Sequence, residues 1–176
     1  MGSRKALSGF TLVELLVVIS IVAILAGMLF KRVLFYQELA EKAAMQQVVS
    51  ALQSALVLEY GHRMANSTGQ EINNLITQNP MDWLAQKPAN YAGEFQALNP
   101  SAIEPGNWAY ELSSHELIYV PDHAQLFVPA KSGAKLIRYR VATAYESSSR
   151  AKGVKVPSGV TFAPVEPYQW LIREKE

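Results

Sequence analysis

The stretch SGFTLVELLVVISIVAILAGMLF, Ser8 to Phe30, is apolar nearly throughout yet carries a carboxylate, Glu14, near its start. From Leu12 to Phe30 the only polar side chains are Glu14 and Ser20. As a helix rising ~1.5 Å per residue the run is about 29 Å long, close to the hydrocarbon thickness of a bilayer. It can therefore span a membrane. Arg4 and Lys5 precede it, and Lys31 and Arg32 close it. An acid deep in hydrocarbon costs ~2.5 to 3.5 kcal/mol on insertion scales, so Glu14 needs a physical reason.

Three readings of this N-terminus compete. A secretory signal places a small-residue cleavage site after its apolar region, but Ala23, Ala26 and Gly27 are followed by Met28, Leu29 and Phe30, so the apolar run continues through the candidate site. An ordinary single-pass anchor spans equally well but gives Glu14 no purpose. The third reading starts from Gly9-Phe10-Thr11-Leu12-Val13-Glu14, preceded by a short leader with Arg4 and Lys5 and followed by the long apolar run. This arrangement resembles the class III signal of type IV prepilins and type II secretion pseudopilins. The resemblance implies that a membrane-embedded aspartyl prepilin peptidase cuts between Gly9 and Phe10 and N-methylates Phe10, so that the mature chain starts at Phe10.

The resemblance also gives Glu14 a purpose. Cleavage creates a cationic amine on Phe10 in or near the apolar layer, where an unpaired charge is costly and a paired one much less so. Within one helix Phe10 and Glu14 are four residues apart and share a face. In the family the acid is thought to pair instead with the amine of a neighbouring subunit, which makes Glu14 the expected subunit-assembly residue. Orientation is balanced by simple counting, because Lys31 and Arg32 nearly cancel Arg4 and Lys5. The resemblance implies a cytoplasmic leader, a single inner-membrane pass, and a remainder in the periplasm of a two-membrane bacterium.

The chain has 176 residues, 49% hydrophobic and 18% charged, a composition that suits a folded protein. Its 16 basic and 15 acidic residues leave a net charge of +1, so the overall balance does not point to nucleic acid or an acidic polymer as partner. Cysteine is absent, which removes disulfide scaffolds, thiolate metal sites and thiol catalysis. It also rules out the C-terminal disulfide loop of many pilin heads, so the chain end must be held by pairing and packing around Trp170 and Leu171.

Helical character continues past Lys31. Leu34, Leu39, Val48, Leu52, Leu56 and Tyr60 recur at helical spacing between polar residues such as Glu38, Glu41 and Lys42, with no Pro or Gly between Met28 and Tyr60. One helix is expected from about Phe10 to about Tyr60, with Gly61 as its stop. It resembles the long pilin spine, but the helix-loosening proline that many family members carry near the position of Lys31 is missing. The expected organisation is a leader (1–9), a transmembrane or filament-core half-helix (10–30), an amphipathic half-helix (31–60) and a globular head (61–176).

Within the head, 61–107 reads as an irregular connection. Short helical patches, EINNLITQ and MDWLAQK, are punctuated by Pro80, Pro88, Pro100 and Pro105. Met81, Trp83, Leu84, Tyr91 and Phe95 are expected to pack there. From 108 to 172 the period becomes that of strands: NWAYEL and ELIYVP form a hairpin across SSH, AQLFVP and AKLIRYRVATAYE supply further strands, and GVTFAP and YQWLI add edge strands. Ile137, Tyr139, Val141 and Thr143 should share one face, with Arg138, Arg140 and Ala142 on the other. SSSRAKG reads as a polar loop and REKE as a charged tail.

The search for catalysis is negative. There is no phosphate loop or nucleophile elbow, and His62, His115 and His123 are scattered over expected loops and turns. Aspartate occurs only at Asp82 and Asp122, so the clustered acids of a calcium loop are not visible. No cofactor, metal or enzymatic activity is expected. Lys131, Lys135, Arg138, Arg140, Arg150, Lys152 and Lys155 make the C-terminal third locally basic, but Glu111, Glu116 and Glu146 are interspersed, which favours solvated faces over a nucleic-acid surface. Trp108, Tyr110, Tyr119, Phe127 and Tyr139 are expected in the sheet core.

The expected fold class is α+β, a long N-terminal helical spine on a small antiparallel β-sheet head. The expected function is that of a minor pilin or pseudopilin, cut by prepilin peptidase and assembled into a type IV pilus or type II secretion pseudopilus. The implied partners are the peptidase, other pilin or pseudopilin subunits, an inner-membrane platform protein with its assembly ATPase, and membrane lipid. The alternative is an uncleaved single-pass inner-membrane protein with a periplasmic binding head.

Overall fold

A computed structural model describes residues 10–66, 74–99, 102–129, 133–147 and 155–170. The leader with Gly9, the start of EINNLITQ, most of the SSSRAKG loop, Pro100, Leu171 and the REKE tail lie outside the described residues. The chain divides into two compact units between Gln37 and Glu38.

The first unit consists of Phe10, Thr11 and the first part of helix α1 (Leu12–Asn66). Thr11 starts the helix: its hydroxyl accepts a hydrogen bond from the Glu14 N–H at 3.2 Å, and its carbonyl accepts from Leu15 N–H at 3.1 Å. Thr11-x-x-Glu14 is a capping-box sequence, and an acid in the first turn also complements the positive end of the helix dipole. At the other end of the unit the rings of Phe35 and Tyr36 meet edge-on, 5.6 Å between centroids.

In the second unit α1 continues through Gly61, the expected stop, to Asn66. Gly61 has no left-handed conformation here. The pair Glu59–Arg63 (2.8 Å) spans Gly61, and Arg63 also reaches Gln78 at 2.7 Å, so a basic residue occupies the last turn where the dipole favours it. His62 consequently lies on the helix, exposed, and not on the expected loop.

The main sheet has five strands in the order β1-β2-β3-β5-β6: β1 (Tyr91–Phe95), β2 (Trp108–Glu111), β3 (Glu116–Tyr119), β5 (Ile137–Ser147) and β6 (Lys155–Pro164). The expected hairpin is β2–β3, with Trp108 opposite Tyr119 and Tyr110 opposite Leu117. Its turn holds His115 at φ 55°, a left-handed position. Two corrections apply to the expected head. The sheet is mixed, because β1 runs parallel to β2. The region 61–107 is also more ordered than expected: α1 runs on into it to Asn66 and it contributes strand β1, while the expected helical patches appear as two single-turn 3-10 helices, Asn74–Ile76 and Pro80–Trp83. Asn79 caps the second of these by accepting from Met81 N–H at 3.0 Å. A separate two-stranded sheet pairs β4 (Phe127–Val128) with β7 (Gln169–Trp170).

The core is built from Met45, Leu52 and Leu56 of α1 against Trp108, Tyr110, Leu117, Tyr119, Tyr139, Val141 and Phe162. The aromatics expected in the sheet core are all buried, and Met81 is buried with them. Trp83, Leu84 and Tyr91 pack at its margin. The face assignment for β5 holds: Ile137, Tyr139 and Val141 are buried, whereas Arg140 and Ala142 are exposed.

Candidate processing and assembly surface

Gly9 lies outside the described residues, but its neighbour Phe10 is non-helical and exposed, two positions before α1 begins. Every large apolar side chain from Leu12 to Phe30 is exposed, from Val18 at 44% to Leu12 at 81%. No described part of the chain covers them. The helix is long and apolar enough here to cross a membrane, with a mean hydropathy of 2.8 over its best window. The Glu14 carboxylate has no hydrogen-bond or ion-pair partner among the described residues. It stands in the first helical turn, four positions after Phe10.

The second unit shows an inverted helix. From Ala40 to Leu58 every exposed position of α1 is uncharged, including Ala43, Ala44, Gln47, Ala51, Val57 and Leu58. The charged residues of α1 between Glu38 and Lys42 turn toward the head. Glu38, only 4% exposed, accepts from Leu126 N–H at 2.8 Å and from the Trp170 indole N–H at 2.9 Å. Glu41 accepts from the Tyr119 hydroxyl (2.8 Å) and from the backbone N–H groups of Asp122 and His123 (both 2.7 Å). Lys42 donates to the Trp170 carbonyl at 2.9 Å. These residues read in the sequence as polar spacers on an amphipathic helix. They are instead caps for backbone groups that the short β4–β7 sheet and its loops leave unpaired. Gln53 plays the same part at the sheet edge, donating to the Phe162 carbonyl of β6 at 3.1 Å.

The basic C-terminal third is largely neutralised where it is described. Arg138 bridges Glu111 (3.1 Å) and Glu116 (3.0 Å), and Arg140 pairs with Glu116 at 3.0 Å. Burial pushes the Glu111 carboxyl up, but hydrogen bonds from Ser114, Leu98 N–H and Arg138 outweigh it, so the net value falls below the ordinary range. Lys135 donates to the Ala124 carbonyl at 3.3 Å. Lys131, Arg150 and Lys152 lie outside the described residues, as does the side chain of Lys155. His115 and His123 have structural partners, the Tyr110 hydroxyl (3.4 Å) and Glu41 (3.0 Å) respectively. A groove of about 230 Å³ opens beside Arg138, Val165, Glu166 and Tyr168, and its Arg138 is already committed to two acids.

The described surface thus concentrates its unsatisfied features on α1: an exposed apolar run, an unpaired acid at its start, and an uncharged outer face beyond. Residues 4–30 match the family model of the prokaryotic N-terminal methylation motif. The chain carries a type IV pilin-like signal. No curated protein and no solved structure matches the chain. The match runs from Arg4 through Gly9, Phe10 and Glu14 to the end of the apolar run, over the residues that carry the resemblance in the sequence. The fold, a long N-terminal helix with a β-sheet, is an α+β, pilin-like arrangement. The sequence signal that pointed to neither Glu38 nor Glu41 was periodicity, which marks polar positions as outward. The Thr11 cap was not anticipated either, although T-x-x-E before a long apolar run is the signal that could have found it.

Proposed function

We propose that this chain is a minor pilin or pseudopilin. It is inserted in the inner membrane with its head in the periplasm, cut between Gly9 and Phe10, N-methylated on Phe10, and assembled with other subunits into a type IV pilus or a type II secretion pseudopilus. The observation that carries this reading is the methylation motif at 4–30 joined to a helix whose apolar side chains no described part of the chain covers. In this reading residues 1–9 are the leader, 10–30 are bilayer and later filament core, and 31–60 join them to the head at 61–176. The platform protein and its ATPase would supply the work of extraction.

The uncharged outer face of α1 supports a mechanical role. A helix that turns its charges inward can lie against another apolar surface without desolvating ions, which is the costly part of burying a charged face. Glu14 then supplies register, because its carboxylate is best satisfied when a cationic amine arrives beside it. The motif's family is structural, and the head's described polar clusters are spent on caps and ion pairs.

The test is mass spectrometry of the intact protein and its N-terminal peptide from native cells with and without active prepilin peptidase. A chain beginning at N-methylated Phe10, lost when the peptidase is inactive, supports the reading. A chain still starting near Met1 overturns it and leaves an uncleaved single-pass protein with a binding head.

A further inference from the structure

The apolar run ends on a basic pair, Lys31 and Arg32. Basic residues just beyond a span resist translocation, so Lys31 and Arg32 are a liability on the head side of a membrane unless something there uses them. For Arg32, nothing among the described residues of the helix does. The positions one turn from Arg32 are Met28, Leu29, Phe35 and Tyr36, none acidic. Glu14 lies about a membrane's thickness away, and Glu38 is committed to Leu126 and Trp170. Arg32 is exposed and has no ion pair among the described residues.

Its position names the partner. With Leu12 at one boundary, Arg32 lies about 30 Å along the helix, at the depth of the opposite headgroups. Tyr36 follows on the same face, exposed, and an amphipathic ring at that level is a membrane-interface anchor. A guanidinium at headgroup depth meets phosphate oxygens in the bidentate geometry it fits best. We infer that Arg32 and Tyr36 form a docking band for anionic phospholipid headgroups on the head side of the bilayer, beside the second cation that the sequence supplies at Lys31. This rests on the inserted-helix reading above. Lifting the helix out of the bilayer breaks these contacts, so anionic lipid opposes extraction.

The test reconstitutes the full chain in vesicles of phosphatidylcholine and phosphatidylglycerol in equal parts. Electron spin resonance of spin-labelled lipids then reads the preference for phosphatidylglycerol at the protein surface. Each basic residue at a membrane surface is worth roughly fivefold at low salt. The wild type should show a clear preference that weakens with salt. K31Q/R32Q should lose most of it, whereas R4Q/K5Q, which alters the opposite boundary, should keep the head-side share. An unchanged preference in K31Q/R32Q, or none in the wild type, would overturn the inference while leaving the inserted helix intact. Release of the chain from the vesicles by alkaline carbonate would overturn the inserted helix and this inference together.

Discussion

The carboxylate of Glu41 holds His123 twice, accepting its backbone N–H at 2.7 Å and its ring Nδ1 at 3.0 Å, across 82 positions of sequence. The same carboxylate takes the Tyr119 hydroxyl and the Asp122 N–H. One side chain on α1 therefore fixes the loop after β3. Hydrogen bonds to a charged group are worth about 1.5 to 3 kcal/mol each, and buried donors left unpaired cost more than the bond was worth. Glu41→Ala should destabilise the fold by about 2 to 4 kcal/mol. Glu41→Gln should fall between it and wild type, because the amide nitrogen faces a donor. Urea denaturation of the full chain in detergent measures both.

Arg138 invites the same logic in reverse. Removing it leaves Glu111 and Glu116 buried without their shared cation, and breaking such a pair from one side costs about 3 to 5 kcal/mol when fully buried. Arg138 is itself partly exposed, so Arg138→Ala should cost roughly half of that. Replacing Arg138 with Leu and both acids with Gln should recover much of the loss. Equilibrium unfolding decides, and equal stability of R138A and wild type would show the pairs to be ornamental.

Glu111 sets the acid limb of stability. Its folded pKa lies below its ordinary value, so it contributes stability above the ordinary carboxylate range, and that contribution is lost as pH falls through the lower folded value. Tm measured from neutral pH down through the carboxylate range should fall less steeply in Glu111→Gln than in wild type, even though the variant starts lower.

The tyrosines set the alkaline limb. Burial, with Glu94 nearby, pushes Tyr110 up to about 12. Burial also raises Tyr119, aided by Glu41, and Tyr139, aided by Tyr168. A raised folded value means stability that is present below the ordinary tyrosine range and lost as pH rises through the folded value. In an absorbance titration these three of the eight tyrosines should ionise only as the fold is lost, in step with circular dichroism.

The sequence made the helix, the β2–β3 hairpin, the faces of β5 and the processing motif legible, because each rests on a strong local pattern: an apolar run, paired alternation, or a glycine before an apolar segment with an acid. The misses have physical causes. YAGEF was too short and too polar to read as a strand; β1 exists because β2 offers it a parallel partner, with a bulge around Gly93. Gly61 read as a stop, but a neighbouring ion pair carries the helix through it. Glu38 and Glu41 read as solvent-facing because periodicity ranks side chains by polarity. It cannot anticipate backbone donors that arrive from 80 or more positions away.

Leu52 and Leu58 separate folding from assembly on one helix. Leu52 is fully buried in the core, whereas Leu58 is 75% exposed on the uncharged outer face. Leu52→Ala should therefore cost about 2 to 5 kcal/mol of stability, as truncation of a packed core leucine does. Leu58→Ala should stay within about 0.5 kcal/mol of wild type, as surface substitutions usually do. Replacing Leu58 with Glu puts a charge on a face that carries none from Ala40 onward. If that face is buried against another subunit, Leu58→Glu should leave the Tm of the lone chain near wild type and sharply reduce the protein recovered in sheared filaments. Normal filament recovery with Leu58→Glu would place the contact elsewhere on α1.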